Sequence, residues 1–195
     1  LAGYTNVGKS TLLNALTGST VGVRDRLFHT LDPSTRALRL NGRPYLMTDT
    51  VGFIRKLPHQ LVDAFGATLE ETTMADLILH VVDASVPEAE MTDMLRAVDS
   101  VLDEIGAGDS PRLLVLNKAD VLDDERREEL RFAHPDGIAV SALTGEGLEA
   151  LGERIEQSFQ ETLRPVDLLL PFDEGGRLAE LHELAGDLER LDTAE

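Results

Sequence analysis

The chain carries near its start the stretch Gly3-Tyr4-Thr5-Asn6-Val7-Gly8-Lys9-Ser10-Thr11. It fits the P-loop pattern of a glycine, four residues of any type and then Gly-Lys-Ser before a helix. The glycines let backbone N–H groups point inward at phosphate groups, and the helix N-terminus adds its positive end. We predict that all nine residues belong to a nucleotide-binding site, with Lys9 as a catalytic point charge on the β- and γ-phosphates and Ser10 as a Mg²⁺ ligand.

Short apolar runs alternate with amphipathic stretches along the rest of the chain. Strands are indicated over 37–40, 45–48, 77–82, 113–116 and 138–140, and helices over 9–16, 60–72, 88–105, 124–132 and 147–163. The alternation predicts an α/β fold, a mostly parallel sheet with helices on both faces. His80 interrupts one apolar strand, and we interpret it as a core histidine with satisfied hydrogen bonds rather than as a ligand.

The pattern changes after Leu163, where Arg164-Pro165 ends the last helix. A further strand is indicated over 166–172, followed by a helix with leucines at helical spacing. We predict a nucleotide-binding domain over 1–163 and, over 164–195, a linker and the beginning of a truncated C-terminal α/β domain. Because only Leu1-Ala2 precede the phosphate loop, we expect the first strand to be shortened and the chain to derive from a longer protein.

Composition sets a few bounds on location and partners. The chain has no cysteine, which excludes disulfides and thiolate metal sites and favours a reducing compartment. No apolar run reaches the roughly 18 residues of a membrane span, so we predict a cytoplasmic protein without a membrane partner. The net charge of −18 indicates a solvated acidic surface, and we hypothesise a salt-accumulating host. At molar salt, where the Debye length is about 3 Å, such a charge excludes no partner.

A second phosphate motif, Asp49-Thr50-Val51-Gly52, follows the second predicted strand. We predict that Asp49 holds Mg²⁺ mostly through water and that the Gly52 N–H meets the γ-phosphate during catalysis. Between the two motifs, Leu27-Phe28-His29-Thr30-Leu31-Asp32-Pro33 lies in a polar stretch typical of a switch loop. We expect residues 28–32 to contact the nucleotide, with Thr30 as a second Mg²⁺ hydroxyl and part of the catalytic set. The alternative for Thr30 is an ordinary surface threonine.

The base-recognition motif is Asn117-Lys118-Ala119-Asp120, which directly follows an apolar strand. The Asp120 carboxylate can accept hydrogen bonds from both N1–H and the 2-amino group of guanine. Adenine offers no such donor pair, so the carboxylate would lack partners against it. We expect Asn117 to brace the loops and Lys118 to lay its stem over the base.

A tripeptide that completes the base site, Ser141-Ala142-Leu143, follows the short strand predicted over 138–140. The Ala142 N–H can donate to the 6-oxo group of guanine. The tripeptide is not specific by itself, but four motifs in the required order and spacing are. Together they predict a domain that binds GTP and GDP with Mg²⁺ and hydrolyses GTP.

Three stretches of the chain resemble the HflX family of GTPases. They are Gly-Tyr-Thr-Asn-Val-Gly-Lys-Ser-Thr-Leu-Leu-Asn-Ala-Leu-Thr over 3–17, Leu-Phe-His-Thr-Leu-Asp-Pro-Ser-Thr-Arg over 27–36, and Asp-Thr-Val-Gly-Phe-Ile-Arg-Lys-Leu-Pro-His-Gln-Leu over 49–61. The resemblance extends from Leu1 to about Leu163. It implies a Ras-like fold with a mixed sheet, GTP hydrolysis, association of the full-length protein with the large ribosomal subunit, and a separate N-terminal domain. We expect a monomer.

The resemblance also implies slow intrinsic hydrolysis. Phe53 follows Gly52 where Ras-type enzymes place a water-orienting glutamine, and an apolar ring cannot orient water. A partner, another side chain or a cation would then complete the site. Asn6 resembles the loop asparagine that helps to hold K⁺ in some related GTPases. His59 and Gln60 are alternatives, although solvated loop or helix-cap roles suit them better.

Other assignments remain open at this stage. The Obg or Era branch of ribosome-assembly GTPases shares the phosphate and base motifs, but the long switch from Phe53 to Phe65 argues against it. A nucleotide-gated docking module with negligible turnover would carry the same motifs, whereas Asp120 argues against an ATPase or kinase. Arg24, Arg26, Arg36 and Arg55 could touch ribosomal RNA phosphates, although we favour a charge-balancing role.

Overall fold

The helices and strands are taken from a computed structural model, which describes residues 1–18, 34–50, 52–53, 71–161, 168 and 176–177. The strands are β1 (Ala2–Gly3), β2 (Ser34–Leu40), β3 (Arg43–Asp49), β4 (Ile78–Asp83), β5 (Arg112–Asn117) and β6 (Ile138–Ala139). The helices are α1 (Lys9–Thr17), α2 (Glu88–Glu104), α3 (Asp124–Ala133) and α4 (Leu148–Gln160), with a 3₁₀ turn over Ala119–Val121. Each element predicted within the described residues is present, with shifted ends.

Two predicted regions fall largely outside the described residues. Of the helix predicted over 60–72, only residues 71 and 72 are described, and they are helical together with residue 73. The strand predicted over 166–172 and the leucine-rich helix after it lie outside, apart from residues 168, 176 and 177. These elements remain predictions.

The main sheet is parallel, with its strands in the order β1-β4-β5-β6. Its register pairs Ala2 with His80 and Asp83 with Asn117, so the ends of β4 and β5 lie side by side. Strands β2 and β3 form an antiparallel hairpin through Asn41-Gly42, where both residues have positive φ. The mostly parallel α/β fold is confirmed. Among the described residues the antiparallel hairpin is a separate two-stranded sheet, so a single mixed sheet is not observed.

Residue 53, which follows β3 along the chain, joins the sheet beside β1. The Phe53 N–H donates to Gly3 O and the Thr5 N–H donates to Phe53 O, each at 3.0 Å, and Tyr4 and Phe53 form a parallel bridge. The segment that follows the hairpin therefore returns directly alongside the phosphate loop.

The core lies around β4, in which all six residues are buried. This continuous burial is what a parallel strand covered on both faces requires. One cluster joins β1 and β4 to α2 and includes Ala2, Phe53, Ile78, Val98 and Leu102. A second, at the opposite end of β4, joins β4, β5, α2 and α3 and includes Val82, Met91, Leu116 and Leu130. The polar ends of β4 and β5 thus lie next to a packed apolar cluster.

His80 lies within this core, as predicted, and is 5% exposed. Its Nδ1 is 3.8 Å from Asp99 Oδ1 on α2. Among the described residues its Nε2 has no hydrogen-bond partner, so the expectation of a fully satisfied histidine is not met. Burial lowers the pKa of His80 to about 4, against the raising effect of Asp99, and the ring is neutral at pH 7.

The chain divides into two compact units, Leu1–Glu156 and Gln157–Glu195. The boundary predicted between 163 and 164 stays a prediction, because residues 162–167 lie outside the described ones. Within the described part of the chain, no helix combines the length and apolarity needed to cross a bilayer.

Candidate nucleotide site

The phosphate loop, residues 3–8, connects β1 to the start of α1. Asn6 and Gly8 have positive φ of 64° and 94°, which turns the loop back on itself before the helix. Gly8 is the N-cap of α1, and it provides no side-chain cap for the helix. The loop therefore brings its backbone and the positive end of a helix to one place, the arrangement that binds anions.

Lys9, the first residue of α1, places a buried charge beside this loop, with only 7% of the residue exposed. Its Nζ donates to Gly3 O and to Tyr4 O, each at 3.2 Å. Burial lowers the pKa of Lys9 to about 8, although the Asp49 carboxylate acts in the opposite direction. An ammonium that burial destabilises to this extent marks a site where an anion would be favourable.

Ser10 and Asp49 meet beside the loop although 39 positions separate them in sequence. The Ser10 hydroxyl lies 2.5 Å from Asp49 Oδ2. Ser10 lies in the first turn of α1 and Asp49 ends β3, where it is 2% exposed. A hydroxyl and a buried carboxylate are hard-oxygen donors of the kind that Mg²⁺ prefers, so these residues fit the predicted metal.

Gly52 packs directly against the phosphate loop. A Cβ at this position would lie 2.8 Å from Thr5 Cγ2 and 3.2 Å from Lys9 Nζ. No larger residue fits without displacing the loop, so the Gly52 backbone reaches the phosphate region. The Thr50 hydroxyl instead donates to Leu1 O at 2.7 Å and ties the motif to the start of the chain.

The Phe53 backbone is bonded to the loop, but its side chain packs in the core with Ala2 and Ile78, and the residue is 1% exposed. The ring is a packing residue, which sequence reasoning treated only as a missing glutamine. Residues 28–32, including Phe28, His29, Thr30, Leu31 and Asp32, lie outside the described residues. So do Val51, His59 and Gln60.

Asn117 ends β5 and joins the phosphate loop to the base loops. Its Nδ2 donates to Val7 O at 2.8 Å, and its Oδ1 accepts from the Ala142 N–H at 3.1 Å. The side chain is buried, with the residue 2% exposed. In this structure the Ala142 N–H is thus directed at Asn117, and its predicted bond to guanine stays a prediction.

Asp120 and Ser141 connect the two base loops. The Ser141 hydroxyl donates to Asp120 Oδ1 at 2.6 Å and accepts from the Thr144 N–H at 3.0 Å. Asp120 is exposed, and so is Leu143, at 80%. A carboxylate and an apolar side chain thus face solvent on the loops that the sequence assigns to the base.

Lys118 is anchored by a residue that the sequence analysis missed. Its Nζ lies 2.5 Å from Asp83 Oδ2, at the end of β4. Asp83 Oδ1 in turn accepts from the N–H of Ser85 at 3.0 Å and from its hydroxyl at 2.5 Å. The available signal was the position of Asp83 directly after an apolar strand, because polar residues at the carboxyl ends of parallel strands collect at one edge.

Comparison with known proteins agrees with this geometry. The family model described as 50S ribosome-binding GTPase matches residues 1–118. GTPase HflX of Caldanaerobacter subterraneus subsp. tengcongensis is 47% identical over 175 residues, which cover 89% of this chain and 39% of that protein. GTPase HflX of Magnetococcus marinus is 46% identical over 190 residues, 97% of this chain and 44% of that protein.

A solved structure shows the same fold. The GTP-binding protein from Sulfolobus solfataricus, crystallised in complex with GDP, matches with a TM-score of 0.65 and 35% identity over 83% of this chain and 52% of that one. This chain spans about two fifths of the length of the curated relatives above. By its family model, relatives and fold, the chain belongs to the family of 50S ribosome-binding GTPases, within the HflX group that its three sequence stretches resemble.

Proposed function

We propose that this chain is the G domain of a GTPase, that it binds GTP with Mg²⁺ and hydrolyses it to GDP and phosphate, and that the full-length protein associates with the large ribosomal subunit. The observation that carries the proposal is the buried Lys9 ammonium beside the Ser10–Asp49 pair. The relatives are named GTPases, the family model is described as 50S ribosome-binding, and the Sulfolobus protein holds GDP. Such an association would place the protein in the cytoplasm, and a monomer is the expected state.

Phosphate binding would redirect Lys9. Its Nζ would move from the carbonyls of Gly3 and Tyr4 to the β- and γ-phosphate oxygens, which are stronger acceptors because they are charged. Loop N–H groups between Thr5 and Gly8 would donate to the same phosphates. The transferred phosphoryl group gains charge on its outer oxygens, so donors that are already in place stabilise the transition state.

Ser10 and Asp49 would hold Mg²⁺, Ser10 through its hydroxyl and Asp49 through water. The ion would neutralise charge on the β- and γ-phosphates. The Gly52 N–H would donate to the γ-phosphate, which its position against Thr5 and Lys9 supports. Thr30 completes the set as a predicted second hydroxyl.

Base recognition would rest on Asp120, which would accept from N1–H and the 2-amino group of guanine. The Ser141 hydroxyl holds the carboxylate at 2.6 Å and limits its rotation. Lys118 is held by Asp83, so its aliphatic stem can cover the base without the ammonium leaving its partner. Exposed Leu143 would add apolar contact on the second base loop.

Water activation would come from outside this set. Phe53 is buried in the core and offers no polar group to the attacking water. We therefore propose slow hydrolysis by the chain alone, accelerated by a cation or by the ribosomal subunit. Asn6, held in a left-handed conformation at the loop tip, is the proposed K⁺ ligand. Equal hydrolysis rates in KCl and NaCl of matched ionic strength would remove this role.

Two measurements test the proposal. Calorimetry with the folded chain and Mg²⁺ should show binding of GTP and GDP and much weaker binding of ATP. Equal affinities for guanosine and adenosine nucleotides would refute the base site. Single-turnover hydrolysis by the full-length protein should accelerate with large ribosomal subunits. Subunit binding without any turnover would instead support the docking module.

A further inference from the structure

Arg127 lies on α3, in none of the sequence motifs, yet it contacts the loop that carries Asp120. Its Nη2 donates to Ala119 O at 2.5 Å and its Nε donates to Leu122 O at 3.4 Å. These carbonyls lie at the start of the 3₁₀ turn Ala119–Val121 and just after its end. The guanidinium thus grips the turn from both sides of Asp120.

The same guanidinium also holds the second base loop. Its Nη1 and Nη2 donate to Glu146 Oε1 and Oε2 at 2.5 and 3.2 Å, a two-point contact. Glu146 O in turn accepts from the Ser141 N–H at 2.8 Å. The Glu146 hydrogen bond raises the pKa of Arg127, with Asp124 and Asp120 adding to it, and Arg127 lowers the pKa of Glu146. Both groups are therefore charged at neutral pH.

We propose that Arg127 and Glu146 are positioning residues for guanine recognition, which set the spacing between the Asp120 loop and the loop that begins at Ser141. The inference rests on the base site proposed above and extends it to residues that do not touch the nucleotide. Hydrogen-bond discrimination needs the carboxylate and the opposing loop within a few tenths of an ångström of their bound positions. The loops follow different strands, β5 and β6. They are joined directly by the Ser141–Asp120 and Asn117–Ala142 hydrogen bonds, and Arg127 with Glu146 adds a further contact that holds both loops from α3.

The chemistry of the contact favours arginine. Four hydrogen bonds to two loops need the planar, forked donor set of a guanidinium, which a lysine ammonium cannot supply in one place. An exposed ion pair by itself contributes little to stability. The contact with the base loop carbonyls is therefore expected to appear in nucleotide selectivity more than in folding.

The chain offers a matched control in the neighbouring arginine. Arg126 lies on the same helix and pairs with Glu88 and Glu129, each at 3.1 Å. It also donates to Val86 O at 3.2 Å, and none of these partners belongs to the base loops. Arg126→Gln removes a comparable ionic contact and leaves the contacts of Arg127 with Glu146 and the base loops in place.

The test compares GDP with inosine diphosphate, which lacks the 2-amino group from which Asp120 would accept a hydrogen bond. Calorimetry with Mg²⁺ and the whole chain measures both affinities for the wild type, Arg127→Gln, Arg127→Lys, Glu146→Gln and Arg126→Gln. We expect Arg127→Gln to lower the affinity for GDP by roughly tenfold and the affinity for inosine diphosphate by clearly less. The ratio of the GDP affinity to the inosine diphosphate affinity should therefore fall. Arg127→Lys and Glu146→Gln should lower the ratio partly, and Arg126→Gln should leave it unchanged.

Melting temperatures separate positioning from folding. Suppose that Arg127→Gln and Arg126→Gln lower the melting temperature alike and both keep the wild-type ratio of GDP to inosine diphosphate affinity. The Arg127–Glu146 contact is then merely structural and the inference is wrong. If Arg127→Gln does not fold, the ratio of Glu146→Gln decides in the same way. A wild type that does not prefer GDP to ADP overturns the proposed function itself, whereas a selective wild type with insensitive variants overturns only this inference.

Discussion

The two halves of the nucleotide site are built differently. The phosphate half uses backbone: Lys9 donates to two main-chain carbonyls, and the turns at Asn6 and Gly8 depend on positive φ. The base half uses side chains, with Ser141 bound to Asp120 and Lys118 bound to Asp83. The phosphate half should therefore affect every nucleotide equally, and the base half should affect only the choice among them.

Asn117 joins the halves through its two amide atoms, one directed at Val7 O and the other at the Ala142 N–H. Because the amide is buried, each bond that it loses would leave a polar group without compensation from water. A change at this junction should therefore lower both the affinity for the phosphates and the selectivity for guanine.

Lys9→Met gives the largest expected effect. Loss of the ammonium should weaken GDP and inosine diphosphate equally, by about 3 kcal/mol or more than a hundredfold, because two charge-assisted contacts disappear. The melting temperature of the nucleotide-free chain should hold or rise, since burial of this charge is unfavourable. Calorimetry and thermal melting check both points. A change in the ratio of the two affinities would show that the halves are not independent.

Asp120→Asn should reverse the selectivity among purine bases and leave phosphate binding unchanged. An amide at this position donates where the carboxylate accepts, so xanthosine diphosphate should gain over GDP by about a hundredfold in relative affinity. The preferred nucleotide should bind within a few-fold of wild-type GDP, because the phosphate half is untouched. Competition titrations measure the ratio, and an unchanged preference for GDP would show that Asp120 does not contact the base.

Gly8→Ala tests the junction. Gly8 has a φ of +94°, and a Cβ there would lie 2.4 Å from Asn117 Nδ2. Backbone strain and displacement of the amide should together cost about 2–3 kcal/mol in GDP binding, a loss of about fiftyfold. Selectivity for GDP over inosine diphosphate should fall as well.

Gly18→Ala is the matched control for that strain. Gly18 also has a positive φ, +63°, but a Cβ there would meet no atom within 4 Å among the described residues. The melting temperature of Gly18→Ala should fall by less than that of Gly8→Ala. The nucleotide affinities of Gly18→Ala should stay near those of the wild type. Identical behaviour of the two variants would mean that the contact between Gly8 and Asn117 contributes nothing.

The loop of the phosphate half could be located from the sequence because backbone geometry restricts residue type there. A turn with positive φ at Gly8, and a Gly52 with no room for a Cβ, leave a direct trace in the sequence. The strands were equally readable, since the burial of β4 requires six residues that can all be covered. The ends of elements were less so, and β2 begins at Ser34, earlier than its apolar residues indicate.

The supports of the base half leave a weaker trace in the sequence, apart from the position of Asp83 after an apolar strand. Asp83 reaches Lys118 through the parallel register of β4 and β5, and Arg127 reaches Glu146 across a helix and two loops. Charged residues of these types are common on any acidic surface, so their identity alone carries no signal. Phe53 shows the converse: a position interpreted by its missing catalytic group is in fact occupied for packing.

The pH dependence of binding gives the smallest expected effect and again separates the halves. The pKa of Lys9 lies near 8 in the nucleotide-free chain, below its ordinary value of 10.5, because burial disfavours the charge. Phosphate requires the ammonium, so GDP affinity should fall by about fourfold between pH 7 and 8.5 as Lys9 loses its proton. The stability of the empty domain should change in the opposite sense, since the penalty present below pH 8 is relieved as the pH rises toward 10.5. Lys9→Met should remove both pH dependences, which calorimetry and thermal melting between pH 7 and 10.5 measure. If the variant keeps them, they do not originate from Lys9.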